Sequence, residues 1–254
     1  MNVRLHPDYR HLDGFVRTVP GHGYSEEEVC WNRRNIVERV KTPDGTDVIV
    51  KRFKPVGFFK GLIYTFLRKS KARRAYENAI YLLSQGIDTA FPIAYIEERR
   101  MGIFRAGYFI SSYLPYNTVK DMFMPEKVSE AERAEIQYRL VEFLVGLHSR
   151  GIVPRDFNMD NIFYHRDAGS GNLKFSLIDI NRLGIGHHPD ISDAMKSLAQ
   201  LGVNIWVLRE FVGYYHTLTG ADPDDCAYRI LSYRRKRQRR KRLLKHLYPT
   251  GINA

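Results

Sequence analysis

Residues 153–163, VPRDFNMDNIF, set Asp156 five positions ahead of Asn161 and run on into an apolar, aromatic stretch that reads as a strand. In a phosphoryl-transfer loop these two residue types do different jobs. The carboxylate orients or accepts the proton of an attacking hydroxyl, and the amide oxygen helps to ligate a divalent cation, a hard ion that takes oxygen donors. The same spacing also suits an Asx turn on an acidic surface. Sequence elsewhere decides between the two, because phosphoryl transfer requires further residues at particular places.

A lysine is needed on a strand to hold nucleotide phosphates, a glutamate on the next helix to fix that lysine, and a metal-binding aspartate at a strand end after the loop. Lys51 lies in VIVKRF, Glu77 follows 26 residues later in a helical stretch, and Asp179 closes SLID, 23 residues after Asp156. Each is common by itself. Together and in this order, each on the element its role demands, they form a specific pattern.

The elements that must carry them are legible. NIVERVKT and DVIVKRFK flank PDGT at 43–46, a hairpin signal in which Pro presets one turn dihedral and Gly takes a positive one. Helical spacing covers 70–87, with Ala75, Ala79, Leu82 and Leu83 on one face and Gly86 as the stop. Strands follow at FPIAYIEE and GYFISSYL. A long helix starts at Ser129, where Ser-Glu-Ala-Glu is a capping box, and ends at Gly151. IVPRDFNMDNIFYH and LKFSLIDINRL read as two short strands bracketing a loop at DAGSGN, and 191–247 reads as helix broken near TGADPDD. The expected fold is α+β and bilobal: a small β-rich lobe over about 1–114 and a larger helical lobe over about 115–254.

Composition excludes disorder, with 44% hydrophobic and 13% aromatic residues in 254. No stretch approaches the roughly 20 apolar residues of a spanning helix, and MNVRLHPDYRHLDGF lacks the apolar core of a signal peptide, so a cytoplasmic protein is expected. Cys30 and Cys226 carry no metal or redox spacing. The net charge of +12 is concentrated in 228–247, which holds ten Lys or Arg and no acid. Such a run attracts an anionic membrane surface at about 1 kcal/mol per basic residue, and it would attract RNA too.

The chain resembles the protein-kinase-like superfamily, and within it the bacterial lipopolysaccharide core kinases, the Kdo and heptose kinases. The likeness rests on WNRRN, VKRFK, YTFLRKSKARRAYENA, GIDTAFPIAYIE and LIDINRL, across roughly 31–183. It implies ATP and Mg²⁺ as cofactors and a sugar hydroxyl of a lipopolysaccharide precursor as acceptor, at the cytoplasmic face of a membrane. Lys51 would hold the nucleotide phosphates with Glu77 behind it. Asp156 would be catalytic, Asn161 and Asp179 would ligate Mg²⁺, and Ser112, Tyr113 and Leu114 would offer backbone groups to adenine. VCWNRR holds no glycine where a glycine-rich loop is expected, so either Arg33, Arg34 or Asn35 would contact phosphates there, or these residues form an ordinary basic turn. Pro154 replaces the usual His, Asn158 stands where Ser/Thr protein kinases place Lys, and Asp-Ile-Asn at 179–181 replaces Asp-Phe-Gly. A kinase of another small-molecule or protein acceptor, and a pseudokinase scaffold docked to membrane or RNA, are the alternatives.

Overall fold

The computed structural model describes residues 1–21, 27–32, 35–186 and 189–247. The chain forms two compact units, Met1–Asn117 with Ser176–Arg182, and Thr118–Phe175 with Leu183–Ala254.

The first unit is built on a six-stranded antiparallel sheet. Its strands are β1 (Asn2–Leu5), β2 (Glu27–Asn32), β3 (Asn35–Lys41), β4 (Asp47–Phe53), β5 (Pro92–Arg100) and β6 (Ile103–Ser112), in the order β1-β5-β6-β4-β3-β2. The β3–β4 hairpin closes as the PDGT sequence predicts: Gly45 takes φ +86° and Thr42 N–H donates to Thr46 O at 2.9 Å. Alternation along β4 sends Val48 and Val50 to one face, where they pack with Val40, Ala94, Ile96 and Ile110. That face is covered by residues 1–21, through Leu12 and through Phe15 and Val16 of α1 (Asp13–Thr18). It also holds a buried ion pair, Arg52 Nε to Glu38 at 3.0 Å.

On the opposite face, Phe53, Tyr95 and Phe109 pack against Ala72, Ala75 and Tyr76. Between β4 and the next long helix lies a short one, α2 (Phe58–Leu62), which continues as a π-helical turn over Ile63–Leu67. Next comes α3 (Lys71–Ser84), capped by the buried Ser70, whose hydroxyl accepts Arg73 N–H. As the spacing predicts, Ala75, Ala79 and Leu82 are buried and Gly86 takes φ +69°. Hydrogen bonds tie the segment 176–182 to the rest of this unit. Leu177 N–H donates to Asp88 O, Thr89 Oγ1 donates to Leu177 O, and Asn78 Nδ2 of α3 donates to Ile180 O at 2.6 Å.

After the two-residue β7 (Asn117–Thr118), the second unit is mainly helical. It contains α4 (Glu130–Ser149), the strands β8 (Ile152–Pro154), β9 (Ile162–Arg166), β10 (Leu173–Leu177, whose end enters the first unit) and β11 (Leu183–Ile185), then α5 (Ile191–Gln200), α6 (Ile205–Thr219) and α7 (Pro223–Leu247). Ser129 caps α4 by accepting Glu132 N–H, and Ile136, Leu140, Leu144 and Leu147 form its buried stripe. β8 and β11 pair antiparallel, Pro154 opposite Leu183. The break between α6 and α7 falls at Gly220, left-handed at φ +71°.

Candidate active site

Lys51 stands on β4, on the face covered by α3, because it shares the parity of Phe53. Its Nζ lies 2.7 Å from Asp179 Oδ1, and both side chains are more than two-thirds buried. Asp179 follows directly on the moored strand and adopts φ +54°. A non-glycine residue in the left-handed region is uncommon, Asp and Asn tolerate it best, and such strain collects at functional positions. Asn181 Nδ2 donates to the same carboxylate oxygen, so two donors fix Asp179 Oδ1 and leave Oδ2 for another partner.

In the second unit, residues 155–161 make a tight turn ahead of β9. The Asp156 carbonyl accepts both Asn158 N–H at 3.0 Å and Asn161 Nδ2 at 3.1 Å. The Asn158 side chain in turn caps the short 3₁₀ turn Met159–Asn161 by accepting Asp160 N–H. The hydrogen bonding thus locks Asn161 to Asp156 and turns the Asn161 amide so that Oδ1 remains available as an oxygen donor. Asn158, which the sequence marked only as a departure from protein kinases, braces this loop.

Among the described residues no group of three or more His, Cys, Asp or Glu could hold a metal by itself. Mg²⁺ does not ask for one: it keeps waters and substrate phosphates and takes one or two protein oxygens. Asp179 Oδ2 in the first unit and Asn161 Oδ1 in the second are each, taken singly, an oxygen donor of that kind.

The geometry corrects one expectation and qualifies two others. Lys51 pairs with Asp179, and Glu77 is bound instead by Lys69 at 2.8 Å and Arg73 at 2.9 Å. Arg73 lies one turn before Glu77 on α3 and Lys69 just before the cap, so local partners capture it. Burial acts to raise the Glu77 pKa, but the bonds from Lys69 and Arg73 prevail and hold it below the usual range. Next, Ser112 and Tyr113 N–H are already committed, to Phe91 O and Asp47 O, while Arg39 stacks over the Tyr113 ring at 4.0 Å. Leu114 is left to supply a backbone donor. Finally, Asn35 lines a cavity of about 300 Å³ with Phe53, Lys54, Lys60, Tyr64 and Lys71, a set that does not include Lys51. Arg33 lies outside the described residues. Sequence reasoning missed Asn78 and Asn181, which position the Asp179 segment; a polar residue on the inner face of α3 was the available signal for Asn78.

Residues 56–204 match the lipopolysaccharide kinase (Kdo/WaaP) family. That is more than half of the chain, and the chain belongs to this family: it is a phosphotransferase with an alcohol group as acceptor, on the protein-kinase-like fold. Among solved structures, one described as WaaP in complex with acyl carrier protein aligns over 94% of this chain and 99% of its own, at 15% identity and a TM-score of 0.60. The Rio2 kinase of Chaetomium thermophilum aligns over 89% of this chain and 76% of its own, at 12% identity and a TM-score of 0.47. No curated protein sequence matches the chain. Among the described residues no helix is long and apolar enough to cross a membrane.

Proposed function

We propose that this lipopolysaccharide kinase transfers the γ-phosphate of ATP to a hydroxyl of an inner-core sugar, Kdo or heptose, carried on its lipid anchor. The observation that carries the reading is the Lys51–Asp179 pair, a cation for the nucleotide phosphates beside a carboxylate held in a left-handed conformation. Asp156 takes the proton as the acceptor oxygen bonds to the γ-phosphorus and the bond to ADP breaks. Bound Mg²⁺ would neutralise phosphate charge, with Asp179 and Asn161 as its protein ligands. Asn181, Asn78 and Asn158 are positioning residues.

A lipid-borne acceptor fits the surface of α2 and the turn after it. Gly61, Tyr64 and Thr65 face β6, while Phe58, Phe59, Phe66 and Leu67 are 62–82% exposed, beside Lys60 and Arg68. Aromatic and basic side chains together suit the interface of an anionic membrane. The test is transfer of labelled phosphate from ATP to lipopolysaccharide precursors of defined core length. Label on a precursor bearing Kdo without heptose identifies Kdo as acceptor, and label only on heptosylated precursors identifies heptose. Failure to label any of them at a rate above that of Asp156→Asn would overturn the proposal.

A further inference from the structure

The basic run RKSKARR at 68–74 divides by what its charges already hold. Lys69 and Arg73 are committed to Glu77. Lys71 lies over the Phe53 ring at 5.8 Å. Arg68 and Arg74 have no carboxylate partner among the described residues, and Arg74 Nε is buried without any hydrogen-bond acceptor. A guanidinium nitrogen removed from water with nothing to donate to is costly.

The fold brings a third arginine near Arg74. Arg74 sits one turn before Asn78 on α3, so both point to the same side. Asn78 is bonded to Ile180 O, and Arg182 follows two residues later. Electrostatics agrees: burial, then Arg68 and Arg182, push the Arg74 guanidinium below its usual pKa, with the Tyr64 phenol opposing them. Three cations therefore gather near one another, two from at or just before the start of α3 and one from the segment that carries Asp179.

We infer that Arg68, Arg74 and Arg182 form a binding site for a phosphate group, distinct from the Lys51–Asp179 pair. Guanidinium forks match phosphate oxygens bidentately, and one dianion would both satisfy Arg74 Nε and relieve the repulsion among the three. The inference rests on the proposed function only in naming the source of that phosphate. It belongs either to the acceptor, as a phosphate already on the sugar lipid, or to the nucleotide terminus.

Binding is read without turnover, by thermal unfolding of the metal-free protein in inorganic phosphate against chloride at matched ionic strength. Phosphate should raise the wild-type midpoint, since a ligand of the native state alone stabilises it. Arg182→Gln, at an exposed position and so safe for folding, should weaken apparent phosphate affinity by about tenfold or more, as should Arg74→Gln. A phosphate response unchanged in both variants would overturn the site. The sources separate in a second measurement on Arg182→Gln. If the acceptor supplies the phosphate, KM rises for phosphorylated but not dephosphorylated precursor, and binding of a non-hydrolysable ATP analogue is unaltered. If the nucleotide supplies it, affinity for that analogue falls while affinity for ADP does not. Loss of transfer to every acceptor with the phosphate response intact would sink the proposed function and leave the site standing.

Discussion

At Asp179 a charge and a backbone conformation meet in one residue, and substitution can separate them. Asp179→Asn keeps a side chain that tolerates φ +54° but removes the partner of Lys51, so it should fold nearly as well as wild type and transfer phosphate poorly. Asp179→Ala should do the same chemically and lose a further 1 kcal/mol or so of stability to the left-handed backbone. Equal stability of the two variants in urea titrations would refute the strain. Asp156→Asn should slow turnover by roughly 10²- to 10⁴-fold with ATP affinity little changed, which rate measurements at saturating acceptor would show. A different residue should make stability fall in mild acid. His148 near the end of α4 has its pKa lowered from 6.5 to about 4 by burial, with Asp193 opposing. Between those values the unfolded chain takes up a proton that the native one does not. Stability should therefore be flat above pH 6.5 and fall as pH drops towards 4, by up to roughly 3 kcal/mol. His148→Leu should flatten that fall, measured as urea midpoints at pH 7 and pH 5; an unchanged slope would place the acid sensitivity elsewhere.

The elements divide into those that local patterns specify and those that depend on distant partners. The PDGT hairpin, the apolar stripe and stop of α3, the Ser129 cap and the strands on either side of the DAGSGN turn were all legible, because turn chemistry and periodicity are local. So were the elements that carry Lys51, Asp156, Asn161 and Asp179, since each of these residues stands at an end or in the middle of a strand or turn. Ion pairing was not: Lys51 and Glu77 each had several candidate partners, and only three-dimensional distance selects Asp179 for one and Lys69 with Arg73 for the other. The Asn78–Ile180 bond spans 102 residues and has no local signature. Residues 1–21 were illegible for the same reason, since β1 becomes a strand only by pairing with β5. Between these cases lies α2, apolar enough to suggest either membrane contact or packing on the sheet. It has a face for each. A Cβ on Gly61 would lie 2.5 Å from Phe104 O, so Gly61→Ala should force α2 off β6 and destabilise the protein by about 1–3 kcal/mol, seen in urea midpoints. Replacing Phe59, Phe66 and Leu67 with Ser should leave stability nearly unchanged and weaken sedimentation with anionic vesicles. The opposite pattern would make the exposed side chains part of the core.

Across the whole molecule the positive charge is distributed in two different states. Before α7 many basic residues hold carboxylates, among them Lys51, Arg52, Arg73, Lys127 and Arg166, whereas 235–243 of α7 are exposed throughout. Arg234 marks the boundary. Its Nη1 donates to Val203 O at 3.0 Å and its Nε reaches Ala199 O, so Arg234, where the unbroken basic stretch RRKR begins, is structural, and burial lowers its pKa. Deleting 235–254 should therefore preserve folding and transfer to a soluble sugar while reducing vesicle binding, and added salt should mimic the deletion. A deletion that starts at Arg234 should lower stability as well. Vesicle binding indifferent to salt and deletion would make the run an ordinary solvated surface. The exposed length of α7 has a further consequence for handling. Arg235 and Arg239, Lys236 and Arg240, and Arg237 and Lys241 repel one another at helical spacing, and no packed face offsets the repulsion, so these turns should fray. Trypsin, which cuts after Lys and Arg in unwound chain, should thus trim the protein to a core ending just beyond Arg234, and anionic lipid should slow the trimming by holding the helix wound.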